Sequence, residues 1–208
     1  IPYLVWKMID SGRGSWQKWS MTHLHPDRLF PASEPAQTIA RQLYSEVSDL
    51  PLISPHGHTD PAWFANNQRF SDPASLFLTP DHYVLRMLRS RGLSYDDLGV
   101  PRKDGKPVAG GRDAWRLFAA NYYLFAGTPS KTWIDHSLKA SFGIEEELSG
   151  ETADAIYDRI DAALATPDLL PRAVLDNANV EVIATTEFAL DTLPHHQKMK
   201  ADGYIGRV

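Results

Sequence analysis

The chain of 208 residues contains no cysteine. Disulfides and thiolate metal sites are therefore excluded, and any metal must be held by His, Asp or Glu. The same absence fits a reducing cytoplasm, which is the expected location. Long hydrophobic runs are also missing. None approaches the ~20 residues needed to cross a bilayer, so no membrane partner is expected. The opening IPYLVWKMI is too short and too poorly flanked to read as a signal peptide. No long basic run occurs, and 21 Lys and Arg against 26 Asp and Glu leave a net charge of −5. That balance speaks against nucleic acid as a partner. Internal repeats and low-complexity segments are absent. What remains, 43% hydrophobic and 23% charged residues, is the composition of a soluble globular protein. Met21 opens a polar stretch, MTHLHPDRLFP, that reads more like a native start than the residues before it, so 1–26 reads as a tail of doubtful origin.

The hydrophobic period outlines the elements. Ile39, Leu43, Tyr44 and Val47 recur at helical spacing over 34–50, with Ser33 as N-cap and Asp49 and Pro51 as the stop. Residues 51–58 read as a short buried strand, and 60–79 as loop with short turns. Asp81 is placed to cap a helix carrying Val84, Met87 and Leu88 and ending at Gly92. Further helices are expected over 113–126, 129–142 and 152–165, with Trp63, Trp115 and Trp133 in a helical core. The β-branched segment 179–187 reads as a second strand, 191–202 as a helix, and 204–208 as the start of a third strand. Strands separated by helices imply parallel pairing and an α/β fold. About 120 residues lie between the first two strands, far beyond an ordinary connection, so a helical subdomain is expected after strand one. The resulting divisions are 27–60 (helix and strand one), 61–176 (helical subdomain) and 177–208 (strand two, helix and the start of strand three).

In the stretch LPLISPHGHTDPAWF an apolar run ends in two histidines one residue apart. Alternate residues of an extended chain share a face, so His56 and His58 would point the same way at a strand's C-terminal end, where parallel α/β folds carry their sites. Two imidazoles on one face make two legs of a divalent metal site, and Gly57 leaves room for close approach. The bland alternative is a pair of polar loop residues. His23 and His25 also form an H-x-H, but no strand leads into it and it reads as solvated tail. His195 and His196 are adjacent, so their rings diverge on a helix and do not make a joint metal site.

The segments SPHGHTDPAWF, TPDHYVLRMLRSRGL, AWRLFAANYYLFAGTPSKTWIDHSL, FGI and NVEVIATTE, in that order, resemble the N-terminal part of the uronate isomerase (glucuronate isomerase) family of the amidohydrolase superfamily. The likeness runs from Asp27 to Val208. It implies the N-terminal part of a distorted (β/α)8 barrel holding a divalent metal, zinc, between the strand-one histidines and an aspartate of strand eight. It also implies reversible aldose–ketose isomerisation of a small-molecule hexuronate, D-glucuronate to D-fructuronate and D-galacturonate to D-tagaturonate, in bacterial hexuronate catabolism. Carried over residue by residue, His56 and His58 are the metal ligands, and His82 and Tyr83 are catalytic and substrate-binding. Glu187 stands where the family more often has Asp and is a candidate substrate contact, although a structural carboxylate is the plainer reading. Ser54 stands where many relatives have Asp, which alters the support of the first histidine. Asp60 follows the pair and suits a cap.

A chain of this length reaches only the third strand of such a barrel. The strand-eight aspartate and a later arginine and tryptophan expected from the family are not in it. The expectation is a partial metal site and little or no turnover from these residues alone. A metal-dependent hydrolase of the same superfamily and an inactive fragment are the competing readings. Homo-oligomerisation is left open by the sequence.

Overall fold

The computed structural model describes residues 24–204 and 206–208. Most of the 1–26 tail, including His23, and Ile205 lie outside the described residues. His25 is exposed.

A parallel pair, β1 (Leu52–Ser54) and β2 (Val180–Ile183), is joined by a long helical crossover. Leu52 faces Val180, Ile53 faces Val182 and Ser54 faces Ile183, with a register irregularity after Leu52. The fold is thus α/β with a partial sheet. Around it run α1 (Glu34–Val47), α2 (Pro61–Asn66), α3 (Pro73–Phe77), α4 (His82–Ser90), α5 (Gly111–Ala120), α6 (Pro129–Phe142), α7 (Ala153–Leu164), α8 (Pro171–Asn177) and α9 (Pro194–Ala201). No helix among the described residues is long and apolar enough to cross a membrane.

Several expectations are corrected. The first strand is three residues long rather than spanning 51–58, so His56 and His58 sit in the loop beyond it. Pro51 and Pro55 flank it, and proline cannot donate to a sheet ladder. The second strand stops at Ile183, which leaves Glu187 in an irregular segment four residues further on. No strand is assigned over 204–208 among the described residues, although the Ile183 N–H donates to the Arg207 carbonyl (2.8 Å) on the side of β2 away from β1. Residues 60–79 carry two short helices instead of loop. Asp60 accepts from the Ala62 N–H, and Asp72 forms a capping box with Ser75. Asp-Pro at both starts is the signal of an N-cap followed by proline at the first helical position. The helix expected over 113–126 breaks after Ala120 into a 3₁₀ turn, Tyr122–Phe125. There the Asn121 side chain donates to the Leu117 carbonyl (2.8 Å) and competes with the helical ladder.

Two cores result. The larger gathers Trp115, Phe118, Tyr122, Phe125, Ile134, Leu138, Ile156 and Ile160 between α3 and α7. The Trp115 indole also donates to the Ala153 carbonyl (2.9 Å). Each such fully buried apolar side chain contributes about 1.5–3 kcal/mol by transfer from water. The smaller core holds Phe64, Ala65, Leu175, Ala178, Val180, Ile183 and Met199 beneath the strand pair. α2 straddles the two, with Trp63 packed on the helical side. Trp133 departs from expectation: it is half-buried and lines a surface groove rather than the core. α1 buries none of its side chains, and Ile39, Leu43 and Val47 are exposed.

Candidate active site

The loop after β1 carries His56 and His58, and the start of α4 carries His82 and Tyr83. Asp81 is the N-cap of α4, as its place in the sequence implies, and its carboxylate accepts from the Tyr83 (2.8 Å) and Val84 (3.1 Å) N–H groups. Adjacent residues on a helix diverge by about 100°. At its N-terminal edge both rings can nevertheless face the same loop, and here they do. His56 and His58 have ring centroids 4.9 Å apart, His82 stacks on His58 at 5.5 Å, and the Tyr83 ring lies 4.2 Å from that of His82. The four residues form one continuous, solvent-accessible row of rings, and 47% of Tyr83 remains exposed.

The Nε2 atoms of His56 and His58 are 3.0 Å apart. Two nitrogens bound to one tetrahedral ion at ~2.0–2.1 Å would be separated by about 3.3 Å. The pair therefore fits a shared divalent ion as two of its ligands. Among the described residues no third His, Asp or Glu joins them. Gly57 makes the arrangement possible from below: a Cβ there would meet the Ala184 carbonyl oxygen at 3.0 Å. The loops are tied further by the Thr186 hydroxyl, which donates to the Gly57 carbonyl (2.8 Å). Ser54 donates to the His56 carbonyl (3.2 Å) and not to its ring. Asp60 caps α2.

Glu187 is not part of the ring row. Its carboxylate turns towards His196 of α9, Oε1 to Nε2 3.8 Å, and the same nitrogen lies 3.1 Å from the Thr185 hydroxyl. Glu187 Oε1 and His196 Nδ1 are buried and have no hydrogen-bond partner among the described residues, as is Thr59 Oγ1. A buried polar atom left unpaired costs about 1–3 kcal/mol. The sequence argues only against a joint metal site of His195 and His196. The contact of His196 with Glu187 is not legible in it, because pairing across the loop depends on where α9 docks, which no local pattern reports.

Comparison with known proteins gives these positions a context. The model of the glucuronate isomerase family matches residues 33–206. The uronate isomerase of Phenylobacterium zucineum is 55% identical over 185 residues, covering 89% of this chain and 38% of the relative. That of Xanthomonas oryzae pv. oryzae is 53% identical over 190 residues, covering 91% and 40%. The crystal structure of glucuronate isomerase from Caulobacter crescentus superposes with a TM-score of 0.83 at 50% identity, covering 88% of this chain and 38% of that one. The uronate isomerase of Thermotoga maritima gives 0.70 at 30% identity, covering 82% and 36%. The chain thus spans about two fifths of the length of the relatives it matches. A match that runs through nearly every described element leaves one reading: this chain belongs to the glucuronate isomerase family.

Proposed function

We propose that a protein carrying this chain interconverts aldo- and keto-hexuronates, D-glucuronate with D-fructuronate and D-galacturonate with D-tagaturonate. In this reading β1 and β2 are the first two strands of a (β/α)8 barrel of the amidohydrolase superfamily, residues 61–176 are the subdomain inserted after strand one, and the cytoplasm is the site of action. The observation that carries the proposal is the row of rings His56, His58, His82 and Tyr83, assembled from two segments far apart in the chain.

His56 and His58 would hold the divalent metal, zinc in this proposal, together with groups from outside the chain. Such an ion supplies polarisation of a carbonyl oxygen. The remaining work is proton management. Isomerisation moves one proton between two neighbouring carbons and another between their oxygens. Tyr83, exposed at the end of the row, is placed to donate to and accept from the substrate oxygens. His82, between His58 and Tyr83, is placed to relay a proton. Glu187, in the loop after β2 and turned to His196, is kept in this reading as the candidate for a further substrate contact.

Two experiments test the proposal. Residues 33–206, exchanged for the matching segment of the Caulobacter crescentus enzyme, should yield a hybrid that forms ketose from D-glucuronate. In that hybrid Tyr83→Phe and His82→Gln should lower kcat by about 10²–10⁴. A folded hybrid that forms no ketose, or cleaves lactones or amides instead, overturns the assignment. Calorimetric titration of the 208-residue chain with zinc should show binding that His58→Ala weakens at least about tenfold.

A further inference from the structure

We propose that Arg86 anchors the carboxylate of the substrate and thereby selects uronic acids over neutral hexoses. The inference rests on the isomerase reading above and adds a subsite to it. A groove of about 590 Å³ runs between α4, the 3₁₀ turn and the start of α6. Its lining includes Tyr83, Arg86, Met87, Phe125, Ser130 and Trp133, and contains no acidic side chain. Tyr83 belongs to both places: its ring lies against His82 and also forms one rim of the groove. Tyr83 is thus common to the groove and to the row of rings, while the histidines of the row lie outside the groove lining.

Among the described residues Arg86 is the only cation on that lining. It is exposed and makes no hydrogen bond or ion pair among the described residues. Several arginines of the helical layer behave differently, although Arg91, at the end of α4 and outside the groove lining, is likewise without a side-chain partner among the described residues. Arg89 donates to the Leu93 carbonyl, and Arg102, Arg112 and Arg116 are each paired with aspartates. An unpartnered guanidinium on an acid-free wall suits a planar carboxylate, which it can hold through two parallel hydrogen bonds.

Length supports the same occupant. His82 and Arg86 are four residues apart on one helix, a rise of about 6 Å. Five carbon–carbon bonds of ~1.5 Å each carry an open-chain hexuronate from C1 to its carboxyl carbon, also about 6 Å when zigzagged. On this scale a sugar acid whose carbonyl end meets His82 would bring its acid end near Arg86, with Met87, Phe125 and Trp133 as apolar lining of the same groove. A neutral hexose has nothing to give the guanidinium.

The test uses the 208-residue chain, ¹⁵N-labelled, titrated with D-glucuronate and with D-glucose at equal ionic strength. D-Glucuronate should shift the Trp133 indole and the amides of Tyr83 and Ser90, and D-glucose should bind at least about tenfold more weakly. Arg86→Gln should bring D-glucuronate down to the level of D-glucose, and Arg86→Lys should retain part of the difference. Equal binding of the two sugars, no uronate-dependent shift in the groove, or an Arg86→Gln variant that binds D-glucuronate as the parent does would each overturn the proposal. The two readings fail separately. Ketose formation by the hybrid that survives Arg86→Gln unchanged sinks the anchor and leaves the isomerase. Arg86-dependent binding without ketose formation does the reverse.

Discussion

Trp115 on α5 is completely buried, whereas Ile53 on β1 keeps 65% of its surface exposed and Leu190, in the loop after β2, keeps 96%. The helical layer closes on itself: its aromatic residues pack edge to face around Trp115 and Phe118. Its polar groups also find partners inside it. Asp135 is buried yet accepts from Tyr122 (2.8 Å) and Lys131 (3.0 Å), and the Tyr122 hydroxyl, driven upward by burial and the nearby Asp135 charge, stays protonated. The sheet layer holds a small core on one side and leaves Ile53, Val182, Phe188 and Leu190 facing out. The row of rings and Glu187 stand at the open layer or along its border with the closed one, and the groove holding Arg86 lies in the helical layer. The buried core and the candidate site thus lie in different parts of the chain, and a helix start fixed by the closed layer presents His82 and Tyr83 to a loop of the open one.

Four substitutions probe that contrast, from the largest expected effect to the smallest. Trp115→Ala should cost about 3–5 kcal/mol, removing the centre of the closed core and its bond to Ala153, and chemical denaturation would read this as a lowered midpoint. A loss below 1 kcal/mol would mean that the helical layer does not dominate stability. Asp81→Ala removes the cap of α4 and should cost about 1 kcal/mol. Its NMR signature should include altered Tyr83 and His82 resonances, because the same carboxylate sets where that helix begins.

Asp154→Asn probes the rim of the closed layer. Hydrogen bonds from Arg116, and more weakly from Arg112, hold the Asp154 carboxyl below the usual range. A depressed carboxylate contributes stability that is present above its unfolded value of ~3.9 and lost as pH falls through the folded one. Thermal melts of the variant should therefore be less sensitive to acid than those of the parent between about pH 5 and 2, with only a small change at neutrality because the pair is exposed. Leu190→Ser should be nearly silent, within about 0.5 kcal/mol. A clearly destabilised Leu190 variant would show that the open layer contributes to folding in this chain after all.

Much of this was legible beforehand. The caps and periods of α4, α6 and α7 lie in the sequence because a helix satisfies its hydrogen bonds locally, and Asp81, Thr128 and Gly143 stand at its ends. The Asp-Pro starts of α2 and α3 are equally visible, but the helices that follow are too short to show a period, so the sequence there reads as loop with short turns. Strand lengths were not legible, since a strand ends where its partner does. The H-x-H spacing pointed to a pair of rings on one side, and the structure brings them together, but in a loop and not in a strand.

By itself the sequence determined the helical caps, the absence of thiol chemistry and the residue types from which a site can be made, all of which depend on neighbours a few positions away. Only the tertiary structure decided that His58 meets His82, that Glu187 turns to His196 and that Arg86 stands alone in a groove ending at Tyr83. Those relations join segments separated by tens of residues, and their distances are set by how the cores pack.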